Sequence, residues 1–123
     1  MHDAPSAKEL IEAVKAFIDK TAAPQLTGHA AFHARVASNA LATVLRELEI
    51  RPGAEAEEKT RLEALLGTTG ESANQLNAVL CDAIRSGKMS LSTKGLLPHL
   101  KSTTIAQLSV DQPGYSGLRS AAR

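Results

Sequence analysis

His29 and His33 are four residues apart, one turn on a helix, a spacing that can bring two imidazoles to one metal ion. The intervening residues make the segment His-Ala-Ala-Phe-His, which lacks the glutamate that acts as general base in the zinc-peptidase version of this spacing. A third ligand would have to come from His99, Cys81 or a distant carboxylate. The simpler reading is a helix-start imidazole and a boundary histidine beside the core, so no metal is assigned. Cys81 has no neighbouring feature that favours a thiolate, and it is expected as a packed thiol beside a core stripe. A serine-histidine-acid triad would need a nucleophile turn between a strand and a helix, which the sequence does not offer. Arg85 and Lys88 flank Gly87 at the carboxyl end of a predicted helix, where their charge offsets the helix dipole without any ligand. Gly67 and Gly70 do not make a phosphate loop, so ATP, NAD and flavin sites of the familiar kinds are unsupported, and neither a catalytic residue nor a cofactor is assigned.

One polar patch remains. At helical spacing Arg35, Asn39 and Arg46 share a side of one predicted helix, bordered by Phe32. Two guanidinium forks, an amide and an exposed ring suit an anionic ligand or a partner's carboxylates. The alternative is structural: Asn39 caps a neighbouring helix or loop, and the arginines form surface ion pairs, Arg46 with Glu47 or Glu49. With His33 and Tyr115, these residues form the candidate ligand- or partner-binding set.

The whole chain narrows the classes of partner. Its 123 residues carry 14 basic and 13 acidic side chains, interleaved, which leaves no concentrated positive field for a phosphate backbone. Phe17, Phe32 and Tyr115 are too scattered to stack bases, so nucleic-acid binding is not expected. A lone cysteine excludes an intrachain disulfide and favours a reducing compartment. The leader has no signal-peptide pattern and no apolar run is long enough to span a bilayer, so a cytoplasmic protein without membrane association is the expectation.

The elements that must position these residues are all helical. Ser6 and Glu9 have capping-box spacing and open a first amphipathic helix over about residues 7–22, ending before Pro24. A second runs from about His29 to Glu49, with Ala30, Ala34, Ala37, Leu41, Leu45 and Leu48 on one stripe, flanked by His33 and Val44. Charge is absent from Val36 to Leu45, and this breadth predicts a helix packed on more than one face, at the centre of a bundle. Arg-Pro-Gly at 51–53 predicts a break and a third helix at about 54–66, with Leu62, Leu65 and Leu66. A fourth is predicted at about 72–86 on Ala73, Leu76, Leu80 and Ala83. A turn over 88–93 then leads to a fifth at about 94–110, with Leu97, Leu100, Thr104 and Leu108 on its apolar edge. The expectation is an all-α, single-domain bundle of about five helices over 1–123, with a core region at about 7–110 and a turn and tail at 111–123 anchored by Tyr115.

Three segments carry a resemblance: Leu26-Thr-Gly-His-Ala-Ala-Phe-His-Ala-Arg-Val-Ala-Ser-Asn-Ala-Leu, Leu76-Asn-Ala-Val-Leu-Cys-Asp-Ala-Ile-Arg-Ser-Gly and Leu108-Ser-Val-Asp-Gln-Pro-Gly-Tyr. Through them the chain resembles the bacterial domain of unknown function 6285 family from Leu10 to Tyr115. Phe32, His33, Arg35, Asn39, Arg85 and Tyr115 stand at positions matching the family's segments. The resemblance implies a short helical protein often encoded beside acyl-CoA dehydrogenase-like proteins and aminoglycoside-phosphotransferase-like kinases, and it implies no chemistry. The function expected is a non-catalytic accessory or protein-interaction domain, as a homo-oligomer or with such a dehydrogenase-like or phosphotransferase-like partner. The alternatives are a module for an anionic, acyl-CoA-like small molecule, or an enzyme whose groups converge from separate helices.

Overall fold

The computed structural model describes residues 3–123. Those residues form an all-α, single-domain fold with five α-helices and, among the described residues, no strand. The helices are α1 (Ala7–Phe17), α2 (Gly28–Leu66), α3 (Ala73–Arg85), α4 (Leu96–Asp111) and α5 (Ser116–Ala121). Contacts group the chain into two compact units, Met1–Glu49 and Ile50–Arg123, and α2 contributes to both.

Ser6 opens α1 as its sequence implies. Its hydroxyl accepts from the Glu9 amide at 3.2 Å while the Glu9 carboxylate accepts from the Ser6 amide at 2.6 Å. The helix does not continue regularly to residue 22; it widens into a π-turn over Ile18–Ala22 and tightens into a 3-10 turn over Ala23–Gln25. Pro24 lies in that last turn, where its missing amide removes no regular α-helical bond.

The largest departure from expectation is α2. Arg51-Pro52-Gly53 does not break it, and helical backbone runs through Pro52 to Leu66. The expected second and third helices are therefore one. Proline cannot donate to the carbonyl four residues back, so this point of the helix lacks one backbone hydrogen bond.

In the first unit, α1 and the first part of α2 form a hairpin. Ile11, Lys15 and Ile18 are half-buried along one side, as are Ala31, Ala34, Leu41, Ala42 and Leu45 on α2, with Ser38 buried among the latter. Ser38 donates to Asp19, and Lys8 lies 3.9 Å from Glu49, which fixes the antiparallel register. The expected centre of a bundle is corrected here. Ala30, Ala37, Val44 and Leu48 are exposed, as are Phe32 and Val36. The uncharged breadth of α2 exceeds the strip that α1 covers.

The second unit holds every fully buried hydrophobic side chain among the described residues: Leu62, Ala73, Leu76, Leu80, Leu96 and Val110. Leu62, Leu76, Leu80 and Leu96 form its centre, with Leu66 and Met89 packed against them. Ser72 caps α3 by the same reciprocal device as Ser6, here with Gln75. Gly95 starts α4 at φ +89°, a left-handed conformation that glycine adopts without penalty. The inward edge of α4 runs through Leu96, His99, Thr103 and Val110 rather than Leu97, Leu100 and Thr104, so the expected stripe is displaced by one residue. Thr103 is half-buried, as is Leu108 of the expected stripe, whereas Leu97, Leu100 and Thr104 are exposed. The expected tail folds into α5, whose Gly117 lies against the Tyr115 ring closely enough that a Cβ there would meet it at 2.7 Å.

Candidate functional site

The hairpin of the first unit carries two different faces, and their separation follows from helical geometry. Along α1, Leu10, Val14 and Phe17 recur at intervals of four and three residues, and Phe17 is 59% exposed. They lie beside the covered strip of Ile11, Lys15 and Ile18. On α2, Ala30, Ala37, Val44 and Leu48 lie beside the covered strip of Ala34, Leu41 and Leu45 in the same way. In an antiparallel pair whose register is set by Lys8 with Glu49 and Asp19 with Ser38, both rows fall on the side of the seam opposite those polar pairs. One face of the hairpin is thus an open apolar surface.

The polar side of α2 carries Phe32, Arg35, Asn39 and Arg46, whereas His33 falls on the apolar side, one turn before Ala37. Phe32, His33, Arg35 and Asn39 are exposed and Arg46 is half-buried. The Phe32 and His33 rings meet edge to face, with centroids 5.5 Å apart at 71°. Thr43 donates to the Asn39 carbonyl at 3.1 Å and accepts from Arg46 at 3.1 Å, which ties the arginine back onto its own helix. Tyr115 belongs to the second unit and is half-exposed beside Gly117. Phe32, Arg35, Asn39 and Arg46 thus share one side of α2, with His33 on the other side and Tyr115 in the second unit. The Lys15 ammonium at 2.7 Å, and then the Ser38 hydroxyl, hold the Asp19 carboxyl below the usual carboxylate range.

A second polar cluster lies within the second unit. His99 is 2% exposed, and its Nδ1 stands 3.4 Å from Arg61 Nε, while Arg61 Nη2 reaches Thr103 Oγ1 at 3.4 Å. Burial pushes the His99 pKa down, the Arg61 charge pushes the same way, and Glu58 opposes them. Glu58 accepts from Asn77 at 2.8 Å. A neutral imidazole can accept from the guanidinium in this setting. The inward-facing positions 96, 99, 103 and 110 carry the signal for this cluster, because a helical row that includes a histidine and a threonine must satisfy them internally.

Other candidates resolve plainly. Cys81 is exposed rather than packed, because Ala73, Leu76, Leu80 and Ala83 take the inward side of α3 and leave position 81 outside it. His29 and His33 are both exposed, and among the described residues no group of three or more His, Cys, Asp or Glu could hold a metal ion. A shallow groove of about 480 Å³ runs beside Leu66, Val79, Asp82, Ala83, Ser86, Lys88 and Met89, and neither Arg35 nor Arg46 lines it. Among the described residues no helix is long and apolar enough to cross a membrane.

No curated protein and no solved structure matches the chain. One family does match, over residues 24–115, and α1 lies ahead of that span. The match takes in most of α2, with Phe32, His33, Arg35, Asn39 and Arg46, as well as α3, α4 and Tyr115. On that coverage the chain belongs to the family described as Domain of unknown function (DUF6285).

Proposed function

We propose that this protein is a non-catalytic accessory domain that acts by protein association through the apolar face of its α1–α2 hairpin. One observation carries the reading: large apolar side chains line both helices of the hairpin, yet the first unit contains no fully buried hydrophobic residue among those described. Contiguous exposed apolar surface on a small protein is the usual mark of a binding face. The resemblance of the chain supplies the setting, an acyl-CoA-processing or small-molecule phosphotransferase system. A photo-cross-linking residue placed at Val14 in native cells should give a discrete adduct that the same residue at exposed Lys101 does not. Adduct patterns equal at both positions would refute association through this face.

The second reading, an anionic small-molecule site, draws on Arg35 and Arg46 on the polar face. Arg35→Ala should leave the Val14 adduct unchanged if the apolar face is the working surface, and should remove a retained anion if the polar face is.

A further inference from the structure

We propose that residues 7–25 form a strap, latched by Asp19 on Ser38 and hinged at residues 26–28, that opens from α2 as a unit while α2 and the second unit keep their helices. The apolar seam beneath the strap is thin. No side chain of α1, of the π-turn or of the 3-10 turn is fully buried. Ile11 and Ile18 are only half-buried, and so are Ala34, Leu41 and Leu45 on α2. Among the described residues Ser38 is the one fully buried side chain of the first unit, and it is polar. The second unit, by contrast, encloses Leu62 and Leu76 with no exposure at all. Apolar burial is the main force that holds helices together, so opening the strap forfeits far less of it than opening α3 would.

Latch and hinge are both visible. The Lys8 and Glu49 side chains are exposed and 3.9 Å apart, where an ion pair contributes little. The stronger link across the seam is the charge-assisted hydrogen bond from Ser38 to the Asp19 carboxylate. Between the 3-10 turn and α2, Leu26 is extended, at φ −108° and ψ 152°, and Gly28 stands at φ +59° with open space where a Cβ would lie. Residues 26–28 are all exposed, so their dihedrals can change without unpacking a core. The uncovered part of α2 stays helical, because it is continuous with turns in the second unit and needs no new nucleus. Its alanines and leucines also favour a helix without a partner. Opening adds Ala34, Leu41 and Leu45 to the exposed Ala37, Val44 and Leu48, so the strap sets how much of the uncharged stretch of α2 is accessible. This device rests on the seam and the hinge alone and operates whatever the outer face binds.

The test is native-state amide hydrogen exchange of the full chain, read residue by residue by NMR and corrected for intrinsic rates. Amides of residues 11–17 should exchange at least about 100-fold faster than those of Leu62 and Leu80, and at least about 10-fold faster than those of residues 34–45. Ser38→Ala should speed exchange in the strap by about 10-fold, the loss of one charge-assisted hydrogen bond. Unchanged protection at Leu62 and Leu80 in the same sample shows that the variant is folded. Asp19→Ala should speed the strap as well, and adding Ser38→Ala to it should change nothing further. Strap amides as protected as Leu62 and Leu80 would overturn the proposal. Residues 34–45 exchanging at the rate of the strap would overturn it too, because the whole first unit would then open together. Strap exchange that is the same in wild type and Ser38→Ala would remove the latch.

Discussion

Replacing His99 with glutamine should remove a specific component of the acid sensitivity of this fold. The native imidazole is 2% exposed and faces Arg61, so burial and then the guanidinium charge hold its pKa below the ordinary 6.5. In the unfolded chain the same group titrates near its ordinary value. As pH falls through 6.5 the unfolded state takes up a proton that the native state refuses, and stability declines until pH reaches the native pKa. The slope cannot exceed about 1.4 kcal/mol per pH unit for one proton, so the loss between pH 6.5 and 5.0 is at most about 2 kcal/mol. Glu9 and Asp19 also have lowered pKa values, but their ordinary values are 4.5 and 3.8, so their contributions are lost in a more acid window. Urea unfolding followed by circular dichroism at half-unit steps from pH 7.5 to 5.0 separates the two. Wild type should lose stability below pH 6.5, and His99→Gln, whose amide can still accept from Arg61, should show a much flatter profile down to pH 5.0. Equal slopes in the two proteins would refute the assignment of this transition to His99.

Three substitutions test the fold. Leu62→Ala, at a side chain with no exposure in the centre of the second unit, should cost about 3–5 kcal/mol in denaturant unfolding, and a loss below 1 kcal/mol would contradict its central place. Gly95→Ala should cost about 1–3 kcal/mol, because φ is +89° and the new Cβ would stand 3.3 Å from the Leu65 side chain. A melting temperature unchanged from wild type would show that the start of α4 is built differently. Pro52→Ala should stabilise the protein by about 1–2 kcal/mol by restoring an amide donor inside α2, and a destabilised variant would mean that the proline is favoured where it stands.

The start of α1, the span of α3 and the grouping of Phe32, Arg35, Asn39 and Arg46 were legible in the sequence because each rests on local chemistry. Ser6 with Glu9 forms a cap within one turn, and residues four and seven apart share a helix side whatever lies beyond it. Pro52 misled the reading, because proline disfavours a helix interior but does not forbid one whose flanking turns are held elsewhere. On α4, apolar side chains at Leu96, Leu97 and Leu100 permit two neighbouring stripes. Only packing decides between them, and it selects the one that contains His99. The central role expected of α2 was read from apolar breadth alone. Breadth reports how much surface needs covering and not which chain covers it, so the exposed face of Leu10, Val14, Phe17, Val44 and Leu48 was visible as residues but not as a surface.

Photo-cross-linking from position 14 in native cells is the most direct test of the central claim, association through the apolar face of the α1–α2 hairpin. A discrete adduct should form at Val14 and not at exposed Lys101, and Val36, exposed on α2 away from that face, should behave like Lys101. Adduct patterns equal at all three positions would contradict it.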